Sequence, residues 1–142
     1  MIREAIKERI RALDLTQKQV SKAMGEYEQN LSSFITGLRS YPYGKFIDLL
    51  TLLGLSVGLK CGYVGEYPPD EIKEAVRDAM ESSGLMRRRV AERSGINEST
   101  LSSYLTGKRQ ISVATLEKLM SALDLGLVCY GEPKILTTET DK

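Results

Sequence analysis

Apolar residues fall at helical spacing in four successive stretches of the chain, and then the whole series recurs. Ile2, Ala5, Ile6, Ile10 and Leu13 share one face of a first helix. A second helix is predicted over about 16–24 and a third over about 28–36, closed by Gly25 and Gly37, residues suited to the left-handed turn at a helix end. A fourth carries Phe46, Leu49, Leu50 and Leu53. Residues 72–125 repeat the pattern: Ile72, Ala75, Val76 and Met80, then helices over about 86–94 and 98–106 closed by Gly95 and Gly107, then Leu116, Leu119, Met120 and Leu123. Sliding residues 2–55 forward by 70 aligns them on 72–125 without a gap, and sixteen of the fifty-four positions are identical. Pro68-Pro69-Asp70 is a start signal with Asp70 placed to cap, and Ser112 is placed to cap the last helix. After each fourth helix the pattern changes to runs rich in β-formers, 57–64 and 125–130.

The predicted organisation is therefore one helical unit with a trailing strand at 1–62, a linker at 63–70 stiffened by two prolines, a second unit with its strand at 71–131, and a polar tail at 132–142. The tail reads as a frayed terminus, with docking of a partner as the alternative. Gly58-Leu59-Lys60-Cys61 resembles Gly126-Leu127-Val128-Cys129 at an offset of 68, which places a two-residue difference between fourth helix and strand. A lone strand leaves its backbone groups unpaired, so the two strands are expected to pair into a small lid, within one chain or between two. Cys61 and Cys129 read as small buried residues of that lid, redox sensing being the lesser reading.

Composition narrows the chemistry. The formal charge is +1, so attraction to nucleic acid must come from local patches. Two cysteines make no disulfide framework, and no apolar run or leader pattern marks a membrane or secreted protein; the expectation is a cytoplasmic one. Histidine is absent, and no phosphate loop, metal-spaced cluster or nucleophile elbow occurs. The surface acids alternate with lysine and arginine at i to i+4 spacing. No enzyme, metal or cofactor is expected.

Helix, glycine turn, helix is the layout that places a second helix in the DNA major groove. On that second helix Leu31 and Leu101, Phe34 and Tyr104, and Ile35 and Leu105 are expected to face the core. Glu28, Gln29, Ser32 and Ser33, and Glu98, Ser99, Ser102 and Ser103, are expected to face outward. By themselves these positions equally describe a solvated helix face.

The stretch Leu15-Thr16-Gln17-Lys18-Gln19-Val20, then Gly25, Leu31-Ser32 and Thr36-Gly37-Leu38-Arg39, resembles the phage repressor/Cro-type (Xre-like) helix-turn-helix family. The second unit resembles it more closely through Val90-Ala91-Glu92, Gly95 to Ser102, and Gly107-Lys108-Arg109. The resemblance implies a mainly α fold of two lambda-repressor-like domains arranged as a pseudo-dimer on adjacent turns of DNA, and a transcriptional regulator of bacterial or phage type, a repressor. It implies backbone and base contacts from Gln17 and Arg87, flanked by Lys18 and Arg88. Base reading falls to the outward residues of the second helix, which Asn97 caps, and phosphate contact to Arg39, Lys108 and Arg109.

The units differ in charge. Residues 85–110 hold six cations against two carboxylates, a net of +4, whereas 15–40 net +1. Phosphate neutralisation supplies much of DNA affinity, so the second unit is expected to dominate. The first has Tyr27 for Asn97 and Leu38 for Lys108, and its turn Glu26-Tyr27-Glu28 is expected to present carboxylates beside phosphate. The competing function is an antitoxin or adaptor whose first unit binds protein. The strands are similar to those through which the antitoxin of the high-persistence toxin–antitoxin pair joins its subunits.

Overall fold

The computed structural model describes residues 2–59 and 67–134. Four helices and a strand occur in that order twice. The first half has α1 (Ile2–Ala12), α2 (Gln17–Ala23), α3 (Glu28–Ile35), α4 (Tyr43–Leu53) and β1 (Leu55–Leu59). A 3-10 turn at Pro69–Glu71 leads into α5 (Ile72–Ser83), α6 (Arg87–Ser94), α7 (Glu98–Leu105), α8 (Val113–Ala122) and β2 (Leu125–Cys129).

The helix ends follow from local chemistry. Thr16 and Gln19 form a capping box on α2, Asn97 caps α7 through the amide of Ser99, and Ser112 caps α8 through that of Thr115. Asp70 does not cap α5: the chain makes its 3-10 turn there, and Glu71 precedes the helix without a side-chain cap. Two left-handed positions are glycine in one half and aspartate in the other at the offset of 70: Asp14 (φ 58°) answers Gly84 (φ 71°), and Gly54 (φ 68°) answers Asp124 (φ 58°). Aspartate tolerates this conformation because its short side chain adds little crowding.

β1 and β2 pair antiparallel within the chain, from Leu55 opposite Cys129 to Leu59 opposite Leu125. Val57 and Leu127, which correspond at the offset of 70, face each other at the centre of the register. The strands thus keep the helical offset. The likeness of 58–61 to 126–129 at 68 instead reflects Gly58 lying opposite Gly126 across the ladder. β2 ends one residue earlier than expected, and β1 starts earlier, directly after the left-handed turn at Gly54; residues 60–64 lie outside the described residues. Cys129 is exposed rather than buried: it shares the face of Leu125 but lies at the last position of β2, at the end of the ribbon opposite Leu55. Cys61 lies outside the described residues.

One hydrophobic cluster runs through both halves, from Ile2, Ile6, Phe34, Phe46 and Leu50 across Leu55, Val57 and Leu125 to Val76, Leu101, Leu116 and Met120. Polar contacts cross the same boundary. Arg3 donates to Glu117 at 2.9 Å and to the Phe34 carbonyl at 2.9 Å, and the Tyr43 and Tyr104 hydroxyls bond at 2.6 Å. The start of the tail is docked rather than frayed: Tyr130 N–H donates to the Gly54 carbonyl at 2.7 Å and Lys134 N–H to Leu52 at 3.0 Å, closing the end of α4. Residues 135–142 lie outside the described residues.

A Cβ at Gly54 would meet the backbone of Gly131, Glu132 and Pro133 at 3.0–3.2 Å. Gly54→Ala should therefore cost more than about 1 kcal/mol, seen as a lower thermal midpoint, whereas Asp124→Gly should stay within about 1 kcal/mol of the parent. Burial raises the pKa of Tyr41, Tyr43 and Tyr104, and hydrogen bonding to the Glu26 carboxylate raises Tyr41 further. The unfolded chain loses these protons first, near pH ~10. Stability should hold below that pH and fall steadily above it. An alkaline titration should then show some tyrosinate absorbance appearing only with loss of helical circular dichroism; full ionisation of all tyrosines with the helices intact would refute it.

Candidate nucleic-acid interface

In the second half, α6 ends on Gly95, whose positive φ of 74° lets the chain reverse, and Ile96 packs the turn onto the core. Gly95 and Ile96 both donate to the Ala91 carbonyl, at 2.9 and 3.1 Å, so the α6–α7 corner is closed by its own backbone. Buried Leu101, Tyr104 and Leu105 then fix the face that α7 turns inward. Glu98 and Ser99 are exposed, and Ser102 and Ser103 are half-buried at the edge of that face. Arg87, opening α6, donates to Ser102 Oγ at 3.0 Å, so the two helices present one polar surface. Asn97 Oδ1 accepts from both the amide and the hydroxyl of Ser99 at 2.9 Å, which leaves Ser99 only acceptor capacity toward a ligand. Arg88, Arg89, Lys108 and Arg109 are exposed around this surface.

The first half has the same corner with different chemistry. Gln17 is half-buried, Lys18 and Arg39 are exposed, Glu28 and Gln29 are exposed, and Ser32 and Ser33 are half-buried. Ile35, expected inside, is half-buried, while Leu31 and Phe34 are fully inside. Tyr27 and Leu38 are 82% and 81% exposed where the second half has Asn97 and Lys108. α3 has no side-chain cap, since Tyr27 cannot provide one.

Glu26 does not face outward as its sequence position suggested. It accepts from the Tyr41 hydroxyl and pairs with Lys45; its side chain is 6% exposed. Oε2 has no directed hydrogen bond, so the Lys45 charge alone compensates it. Tyr41 stacks on Phe34 with ring centroids 4.4 Å apart, and the Lys45 ammonium lies 4.7 Å from the Tyr41 ring. The corresponding second-half residues are Ile96, Ile111 and Thr115. An ionic arrangement thus ties the first corner to α4, where the second half has the apolar Ile96 and Ile111 in or against the core cluster. Only Glu28 of the two acids remains on the outer face.

A cleft of about 240 Å³ opens beside α7, lined by Tyr43, Asp70, Lys73, Tyr104, Gly107, Lys108, Arg109 and Gln110. Lys108 and Arg109 were legible as phosphate-contacting candidates; Lys73 was not, because nothing in its local sequence distinguishes it from any surface lysine. Among the described residues no group of acids, cysteines or histidines is arranged to hold a metal ion, and no helix is long and apolar enough to cross a membrane.

Residues 76–128 match a family model described as helix-turn-helix, of the Cro/C1 type. The match runs from within α5 to β2 and takes in the whole α6–α7 corner, and it suggests a DNA-binding regulator. No curated protein and no solved structure matches the chain.

The corner chemistry is separable. Lys45→Met should leave a buried carboxylate uncompensated and destabilise by about 1–3 kcal/mol, between the effects of an exposed and a buried pair. Replacing Glu26 and Tyr41 by Ile and Lys45 by Thr together, as in the second half, should restore stability to within about 1 kcal/mol of the parent. Urea midpoints of the single and triple variants decide this, and a triple variant weaker than Lys45→Met alone would refute it.

Proposed function

We propose that the chain is a non-catalytic, sequence-specific regulator of transcription that binds double-stranded DNA and represses by occupying its site. What carries the reading is a coincidence within the matched residues. The exposed start of α7 is flanked by Arg87, Arg88, Lys108 and Arg109, in a stretch of net charge +4 on a chain of net +1. Phosphate contacts from these cations supply affinity and register, and Glu98, Ser99, Ser102 and Ser103 read base edges. Glu98 suits the amino group of cytosine, and the serines permit close approach.

The two halves act in this proposal as a pseudo-dimer, with β1 and β2 setting their separation. The first half reads a second half-site about 34 Å away through Gln17, Lys18, Glu28, Gln29, Ser32, Ser33 and Arg39, with less electrostatic support. The preferred site is then an imperfect inverted repeat whose better-defined half lies under α7. Exposed Tyr27 and Leu38 are the features that suit a protein partner instead, and a footprint confined to one half-site would assign them that role.

Changing Arg87, Lys108 and Arg109 together to Ala should reduce the slope of log affinity against log salt by about 0.9 for each phosphate no longer neutralised. A folded triple variant with an unchanged slope would refute the interface. Ser103→Phe should abolish specific binding and shift stability by less than about 1 kcal/mol, since Ser103 lies at the edge of the α7 face.

A further inference from the structure

Lys73 and Arg3 occupy corresponding positions on α5 and α1, and the fold treats them differently. Each lies against the ring of its own half: Arg3 is 5.1 Å from the Phe34 centroid, and Lys73 Nζ is 5.3 Å from that of Tyr104. Each also lies beside the glycine turn that follows, near Gly37 and Gly107 respectively. Arg3 is neutralised across the boundary by Glu117 at 2.9 Å. The residue corresponding to Glu117 is Ile47, and among the described residues no carboxylate pairs with the Lys73 ammonium. That ammonium instead borders the cleft between Tyr43 and Gln110, together with Lys108, Arg109 and the single carboxylate of Asp70. Tyr43 and Tyr104 also border it; their mutual hydrogen bond uses one hydroxyl proton and leaves the other to donate.

We infer that this cleft seats a phosphate group, with Lys73 as a binding residue alongside Lys108 and Arg109. Three cations against one acid, a spare phenol proton and a volume of about 240 Å³ suit a tetrahedral anion. The phosphate belongs either to the DNA backbone, continuing the contacts of Lys108 and Arg109 past α7, or to a free phosphate compound. The first source rests on the DNA-binding reading; the second does not.

Two measurements on the full chain separate them. Duplex affinity is followed against salt for the parent, Lys73→Met, which keeps an apolar stem over Tyr104, and Lys73→Arg, which keeps the charge; Lys118→Met, on the exposed face of α8, is the control. Thermal midpoints are measured in inorganic phosphate and in chloride at equal ionic strength, without DNA. A slope shallower by about 0.9 in Lys73→Met, kept in Lys73→Arg, places a backbone phosphate in the cleft. An unchanged slope, or no duplex binding by any form, together with a phosphate-dependent rise in midpoint that Lys73→Met removes, places a free phosphate there. If Lys73→Met changes neither the salt slope nor the phosphate-dependent rise in midpoint, the site does not exist. Should Lys73→Met melt lower in chloride, Lys73→Gln takes its place in both arms.

Discussion

The antiparallel pairing of β1 with β2 is the constraint on which the rest depends. Among the described residues each strand has five residues and no other strand beside it, so the backbone groups of one are met by the other. A two-stranded ribbon is marginal in water by itself. Here it is held because Leu55, Val57 and Leu125 turn from one face into the cluster that also holds Phe46 and Leu116. Only Gly54 separates α4 from β1, and Leu123 and Asp124 separate α8 from β2. Pairing the strands therefore fixes the ends of α4 and α8, the helices that carry Phe46 and Leu116 into the core.

Around that common frame the halves solve the same packing problem with different chemistry. Left-handed turns alternate between glycine and aspartate, the corner is ionic in one half and apolar in the other, and Arg3 has a carboxylate partner where Lys73 has none among the described residues. The ionic version needs all its members together, whereas Ile96 and Ile111 contribute independently through surface removed from water.

Much of this was legible in the amino-acid order. The helices followed from apolar spacing at Ile2, Ile6 and Ile10 or Ile72, Val76 and Met80, and the corners from Gly25 and Gly95, because these signals are local and strong. The register of the strands was not, since five-residue runs containing glycine align nearly as well at two offsets. The exposure of Cys129 depended on that register. Glu26 was misplaced because its partners, Tyr41 and Lys45, approach only when α4 packs back on the corner. The cleft was hidden for the same reason on a longer scale: Tyr43 and Tyr104 lie 61 residues apart. What folding assembles from distant residues leaves little trace in any window of sequence.

The presence of two unlike halves in one polypeptide, held together by one strand pair, has a consequence for variation. In a symmetric assembly of identical chains, every substitution is made twice, and any harm at one surface is doubled at the other. Here Tyr27 can differ from Asn97, and Leu38 from Lys108, with each change made once. One surface can change while its counterpart keeps its own residues. A single gene thereby explores the pairings that separate subunits reach only by duplication and loss of self-recognition.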